Sequence, residues 1–172
     1  GGSIDWSVTV GYRKKLKELI AQDGITTDFL GSLEAGWADY NDPEHEGWSG
    51  QGIAKIQSRV DNGVLEDYPA DFALLMIGSN DMWVSLDNRV PISEALAADF
   101  VVALENLLDS MHTHRPAMHL IVAKPATPTN ALDPLAVFRT GIDDAVQARQ
   151  AQGGNISAVD MMGADNGGVH FT

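Results

Sequence analysis

Residues 71–81 read DFALLMIGSND, and this stretch predicts both the fold and the place of the chemistry. Its first part, 71–77, is a largely apolar run of the kind found in buried parallel strands. Its last four residues, Gly78-Ser79-Asn80-Asp81, are turn formers that end the strand. In α/β sheets the ligand site lies beyond the carboxyl ends of the strands, so we expect functional residues in this loop.

Strand-like and helix-like segments alternate on both sides of this run. The predicted strands are 25–30, 71–77, 119–123 and 156–159, and the predicted helices are 11–22, 52–60, 92–113 and 135–152. Ser93 is expected to cap the third helix, and Asp61-Asn62-Gly63 to end the second. This alternation predicts a parallel sheet with helices on both faces, that is, a three-layer α/β/α domain. The loops expected at the site are 31–50, 78–90, 124–134 and 160–172.

Composition limits the classes of function. The 172 residues predict one domain, 1–172, and 11 basic against 24 acidic side chains give a net charge of −13. An acidic surface repels phosphate, so we expect neither nucleic acid nor a membrane as partner. The absence of cysteine excludes thiolate zinc sites, cysteine nucleophiles and disulfides. No apolar run approaches the length of a membrane span and no leader pattern is recognised, so we expect a soluble domain.

Short motifs stand in the predicted loops and at the chain ends. They are Gly1-Gly2-Ser3-Ile4, His45-Glu46-Gly47-Trp48-Ser49-Gly50, Gly78-Ser79-Asn80-Asp81 and Gly168-Val169-His170-Phe171, with Gly11-Tyr12-Arg13 after the first. In this order the chain resembles the SGNH (GDSL-type) hydrolases, and among them the carbohydrate esterases of the acetylxylan-esterase kind. Their pattern runs G-D-S-I-T, G-Y-R, H-x-G-x-S-G, G-x-N-D and D-x-x-H. The resemblance implies a three-layer α/β/α fold with a flavodoxin-like parallel sheet. It also implies a serine esterase that needs no metal or organic cofactor.

The resemblance also implies a role for each matching residue. Ser3 would be the nucleophile and His170 its general base, while a carboxylate would fix the imidazole tautomer. The oxyanion hole would be formed by the backbone N–H groups of Ser3 and Gly50 and the side-chain amide of Asn80. A glycine lets a backbone amide approach the substrate closely, and an asparagine offers N–H donors without a charge.

Two aspartates of the family pattern are replaced here. Gly2 stands before the serine, and Gly167 stands three residues before His170. Asp165 is the nearest carboxylate and the expected orienting acid, with Asp160 as a more distant candidate. A Ser–His dyad and a weakened enzyme remain alternatives.

The chain ends differ from the family as well. The family has a central strand before its serine motif and a helix after its histidine, so we expect the first central strand to be missing from this chain. A truncated chain, a strand supplied by another chain, or a Gly-Gly-Ser cloning remnant would each account for this difference.

Every functional assignment has a structural alternative. Ser3 and His170 could be surface residues near the termini, and Gly50 and Asn80 could be plain turn residues. Trp48 and Trp83 are candidate sugar-stacking platforms or simply packed side chains. Asp81 is expected to hydrogen-bond local backbone and hold its loop. The three histidines near the third helix, which lack a nearby carboxylate pair, are expected to be solvated or core residues rather than metal ligands; they are His112, His114 and His119.

The sequence therefore predicts a serine esterase that releases short acyl groups, mainly acetyl, from carbohydrates or small esters. One alternative is a catalytically weakened carbohydrate-binding relative. The other is a thioesterase or lysophospholipase of the same superfamily, which would need a longer acyl groove. We expect a secreted enzyme, with a cytoplasmic one also compatible, and the sequence permits a homo-oligomer.

Overall fold

The computed structural model describes residues 12–35, 41–82, 93–125 and 133–161. The chain divides into two compact units, Gly1–Trp48 and Ser49–Thr172. The expectation of a single domain stays a prediction. Within the described ranges no helix is long and apolar enough to cross a bilayer.

The second unit contains a parallel sheet and most of the helices. Its elements are α2 (Ile53–Asp61), α3 (Val64–Asp67), β3 (Phe72–Leu75), α4 (Glu94–His114), β4 (His119–Lys124), α5 (Asp133–Ala151) and β5 (Ile156–Asp160). The strand order is β3-β4-β5, and all pairs are parallel, with Leu74 opposite Ile121 and Val122 opposite Ala158. The predicted α/β class with a parallel sheet is confirmed. Because the strands are parallel, their carboxyl ends meet at one edge, where the polar loops begin.

Sequence signals place the ends of these elements. Ser93 caps α4, because its hydroxyl accepts the backbone N–H of Leu96 at 3.1 Å. Gly63 follows α2 with a φ of 93°, a conformation that favours glycine, and so ends the helix as predicted. The short helix α3 was not predicted; it begins directly after this glycine.

A single apolar cluster fills the space between the helices and one face of the sheet. Phe138 and Ile142 of α5 and Leu104 of α4 are buried in it. The cluster consists of Ile53, Val60, Ile77, Met82, Leu104, Leu107, Leu108, Met111, Met118, Leu120, Val122, Phe138, Ile142, Ala145, Val146 and Ile156. The second unit is therefore held by summed apolar burial.

The prediction that β3 is buried on both sides is wrong. Phe72 is 61% exposed and Leu74 45%, while Ala73 and Leu75 pack against the cluster. Successive side chains of a strand point to opposite faces, so Phe72 and Leu74 share the exposed face, and Ala73 and Leu75 share the packed face. Only one of its faces therefore reaches the core.

The first unit contains little regular structure in its described part. Helix α1 is Arg13–Gln22, and Gly24 with a φ of 75° follows its end. Two short strands, β1 (Leu33–Glu34) and β2 (Glu44–His45), pair antiparallel within the segment that was predicted to be all loop.

The predicted strand at 25–30 is wrong, because residues 25–30 are irregular. The backbone N–H of Phe29 donates to the carboxylate of Asp42 at 3.1 Å. Lys17 also pairs with Asp42, which is 4% exposed. The Asp42 carboxylate therefore accepts a hydrogen bond from a backbone N–H that would pair with a neighbouring strand in a β ladder.

Candidate active site

Two loops of the second unit are joined side by side near the carboxyl end of β3. The side-chain amide of Asn80 donates from Nδ2 to the carbonyl oxygen of Gln51 at 2.9 Å. Gln51 directly follows Gly50, so the structure brings the loops of both predicted oxyanion donors together. An asparagine amide carries two N–H groups, and one of them is used in this bond.

Gly50 adopts a left-handed backbone conformation, with a φ of 72°. A Cβ atom added there would meet nothing within 4 Å, so free space does not explain the glycine. Its conformation does, because residues with side chains rarely adopt such a φ. Close approach to the substrate, the reason expected from the sequence, stays a prediction.

Asp81 joins the same two loops a second time. Its Oδ1 and Oδ2 lie 3.1 and 3.2 Å from the backbone nitrogen of Ile53, the first residue of α2. Burial raises the pKa of the Asp81 carboxyl, and the Ile53 N–H partly opposes this rise. Asp81 was expected to bond local backbone; the structure gives it a partner in another loop, 28 residues earlier in the chain.

Gly78 anchors the start of the Asn80 loop to the core. Its φ is 98°, and a Cβ atom there would lie 2.4 Å from the ring of Phe138. Any larger residue would therefore meet both backbone strain and a clash with a fully buried ring. From Ser79 the chain turns into a helix, and Met82 donates its N–H to the Gly78 carbonyl at 3.2 Å.

The motif that contains Gly50 begins in the first unit, where Glu46 organises it. The Glu46 carboxylate accepts the indole N–H of Trp48 at 2.8 Å and both the N–H and the hydroxyl of Ser32 at 2.8 Å. Trp48 is half-buried, and its polar edge is turned to Glu46. The sequence reasoning missed Glu46, whose only signal was a carboxylate inside an otherwise small and aromatic motif.

His45, in the same motif, is held in one tautomer. Its Nδ1 accepts the backbone N–H of Gly47 at 3.1 Å. Burial is the main cause that lowers the pKa of His45, and the nearby positive charge of Arg13 lowers it further. This histidine therefore favours the neutral form.

Arg13, in the predicted Gly11-Tyr12-Arg13 motif, is a structural anchor of the first unit. It is 7% exposed and donates to the carbonyl oxygens of Pro43 at 2.6 Å, Glu44 at 2.9 Å and Ala35 at 3.1 Å. The motif was recognised from the sequence, but this role was not. A buried guanidinium that satisfies several carbonyls fixes the path of the segment around β1 and β2.

The remaining predicted site residues, Ser3, Asp165, His170 and Trp83, lie outside the described residues, and their roles stay predictions. Asp160, the alternative acid, ends β5. Its Oδ1 lies 2.6 Å from Arg139 Nη2, and its Oδ2 lies 3.3 Å from Lys124 Nζ. Two cations already offset its charge, which makes Asp160 poorly suited to stabilise an imidazolium.

Two of the three histidines considered as metal ligands, His114 and His119, have other partners. His114 Nδ1 lies 2.6 Å from Glu66 Oε1, and this bond lowers the pKa of Glu66. His119 Nε2 lies 3.0 Å from the Ser157 hydroxyl. Across the ranges that the structure covers, no group of three or more potential ligands could hold a metal ion.

Three solved structures that are similar to this chain are described as esterases. A family 3 carbohydrate esterase from Clostridium thermocellum is 27% identical with a TM-score of 0.72, over 93% of this chain and 75% of the other. A family 3 carbohydrate esterase from Talaromyces cellulolyticus is 22% identical with a TM-score of 0.73, over 90% and 75%. A serine-to-alanine variant of an acetyl esterase, solved with acetate ion, is 21% identical with a TM-score of 0.75, over 93% and 78%. No family model and no curated protein matches the chain.

These similarities confirm the predicted resemblance to SGNH hydrolases of the acetylxylan-esterase kind. The two neighbours below 25% identity support the fold alone.

Proposed function

We propose that this protein is a serine esterase that hydrolyses short-chain acyl esters, mainly acetyl esters, of carbohydrates or small molecules. The carboxylic ester hydrolase class agrees with the three structural neighbours, which are esterases by description. The more specific parts of the proposal are acetyl as the acyl group, a carbohydrate as the esterified alcohol, and secretion of the enzyme from the cell. They come from the sequence resemblance.

One observation carries the proposal. Gly50 and Asn80 lie on two adjoining loops. Gly50 has a left-handed conformation, and the Asn80 amide is hydrogen-bonded to the carbonyl of Gln51, the residue after Gly50. Donors fixed before the reaction stabilise a developing negative charge without reorganisation, which is what an oxyanion hole requires. The second N–H of the Asn80 amide is the donor that would meet the substrate oxygen.

The reaction then follows the acyl-transfer scheme. Ser3 Oγ attacks the acyl carbonyl carbon while His170 takes the hydroxyl proton, and the carbonyl oxygen becomes an oxyanion held by the Ser3 and Gly50 N–H groups and the Asn80 amide. Collapse of this intermediate breaks the ester bond, and the leaving alkoxide takes the proton from His170. Water, activated by His170, repeats the sequence on the acyl-enzyme and releases the acid. Asp165 would orient the imidazole.

Asn80→Ala tests the oxyanion assignment. It should lower kcat on a chromogenic acetyl ester about 10² to 10³-fold with little change in KM, because the lost bond forms only after attack. Asn80→Asp should be at least as damaging, because a carboxylate repels the oxyanion. Asn62→Ala is the matched control, since Asn62 Nδ2 donates to the Ser58 carbonyl in the same way at the end of α2. A higher KM with unchanged kcat in Asn80→Ala would contradict the assignment.

Gly50 has a matched control as well. Gly24 has almost the same φ, 75°, and equally open surroundings. Gly50→Ala and Gly24→Ala should each cost about 1 kcal/mol of stability through backbone strain. Only Gly50→Ala should also lower kcat.

A parent protein without turnover that binds carbohydrate would favour the binding relative. Faster turnover of octanoyl than of acetyl esters would favour the thioesterase or lysophospholipase alternative.

A further inference from the structure

We propose that Asp81 is a positioning residue that clamps the Gly50 loop to the Asn80 loop and so sets the distance between the two oxyanion donors. The inference rests on the proposed function, because it assigns Asp81 a part in that same site. Asp81 itself does not touch the substrate in this scheme. It acts through Gly50 and Asn80.

The first support is the way in which α2 begins. The residue before the helix, Gly52, has no side chain and therefore provides no side-chain cap. The free N–H of Ile53 is instead satisfied by the Asp81 carboxylate, at 3.1 and 3.2 Å. A carboxylate at a helix N-terminus is favourable, since the first turn carries partial positive charge. The cap of α2 thus comes from the neighbouring loop and ties the two loops together.

The second support is the close approach at Gly52. A Cβ atom built there would lie 2.5 Å from Asp81 Oδ1 and 3.0 Å from its Cγ. The carboxylate therefore occupies the space in which any side chain at position 52 would sit. The φ of Gly52 is −95°, which ordinary residues adopt, so this glycine is required by contact with Asp81 and not by backbone conformation.

The third support is the pair of contacts taken together. Asn80 holds the carbonyl of Gln51, and the next residue, Asp81, holds the N–H of Ile53. Two adjacent residues of one loop thus hold the segment that directly follows Gly50 in the other. Donors on separate loops keep a productive geometry only if such contacts fix them, and misplacement by about 1 Å can cost two orders of magnitude in rate.

The electrostatic state of Asp81 agrees with a functional role. Burial raises the pKa of its carboxyl, which means that ionisation in the folded protein is costly. Natural proteins often accept a stability cost of this kind at sites that function requires.

The test compares kcat and KM of four variants on a chromogenic acetyl ester. Asp81→Ala should lower kcat roughly 10- to 100-fold with KM within about twofold, since donor geometry and not ground-state binding is lost. Gly52→Ala should lower kcat about tenfold, because its Cβ displaces the carboxylate without removing a hydrogen-bonding group. Asp81→Asn, which keeps one acceptor oxygen, should stay within about fivefold of the parent. Ser93→Ala removes the cap of α4 and should lower Tm but leave kcat within about twofold.

A parent-like kcat in Asp81→Ala, or an equal loss of kcat in Ser93→Ala, would overturn the proposal, because Asp81 would then be only a helix cap. If Asp81→Ala does not fold, Gly52→Ala gives the same decision, because a parent-like kcat in that variant would also overturn the proposal. Amide hydrogen exchange separates this proposal from the proposed function. Faster exchange at Ile53 in Gly52→Ala and Asp81→Ala is expected even if the parent has no esterase activity, and unchanged exchange there overturns the clamp.

Discussion

The two compact units of this molecule differ in the interactions that stabilise each of them internally. In the described part of the first unit, a few buried polar side chains, chiefly Arg13 and Asp42, bond to backbone groups. In the second unit, a large apolar cluster lies between the sheet and the helices. Apolar burial is non-directional and sums over many residues, whereas a polar anchor depends on particular atoms. The first unit should therefore be sensitive to conservative polar changes, and the second to lost volume.

The largest effect is expected at Phe138 in the core of the second unit. Phe138→Ala should lower the free energy of unfolding by about 3 to 5 kcal/mol, because it removes buried apolar surface and leaves a cavity beneath Gly78. Phe138→Leu, which keeps most of the volume, should cost clearly less. Denaturant unfolding of both variants measures this difference. A cost below about 1 kcal/mol for the alanine variant would contradict the described core.

Arg13→Lys should have the next largest effect, although it preserves the charge. A lysine cannot reach three carbonyls in a fixed fork, so buried oxygens lose their donors at a cost of about 2 kcal/mol. Exchange of the Ala35 amide, which donates to the Pro43 carbonyl at 3.0 Å, reports this loss locally. Lys15→Ala, at an exposed ion pair with Glu18, is the control and should change little. Equal exchange in both variants would argue against a polar anchor.

Glu46→Gln should cost about 1 kcal/mol locally, because a neutral amide weakens the bonds from Ser32 and Trp48. The Trp48 indole N–H resonance should shift toward a solvent-exposed value, with Trp48→Phe used to assign the signal. Glu34→Gln is the control, since Glu34 is exposed on the neighbouring strand β1. If the resonance does not move, Glu46 does not orient this ring.

The smallest expected effect is the pH dependence of the first unit. The pKa of His45 is lowered in the folded state, so the unfolded segment takes up a proton first as pH falls. The stability of the β1–β2 region should therefore decrease as pH falls below about 6.5, the ordinary pKa of histidine. His45→Gln should flatten the pH profile of Ala35 exchange, and His112→Gln should not. A flat profile in the parent would contradict the lowered pKa.

The sequence predicted the second unit better than the first for a physical reason. Helix α4 with its Ser93 cap, strand β4 and the stop at Gly63 follow from local periodicity and local backbone preference. Residues 25–30 looked like a strand by the same criteria. Within this segment the backbone N–H of Phe29 is bonded to Asp42, a distant side chain whose contribution no local pattern shows.

For the candidate site, the sequence by itself determined the residue types and their order: a serine, a glycine, an asparagine and a histidine in a family pattern, on the loops of an α/β chain. The tertiary structure alone decided which groups hold those loops. It showed that Gly50 is required by its φ, that Gly52 makes room for Asp81, and that Asp81 caps a helix begun 28 residues earlier. Periodicity and motifs describe neighbours along the chain, whereas a hydrogen bond between loops depends on atoms that only the folded backbone brings within 3 Å or so.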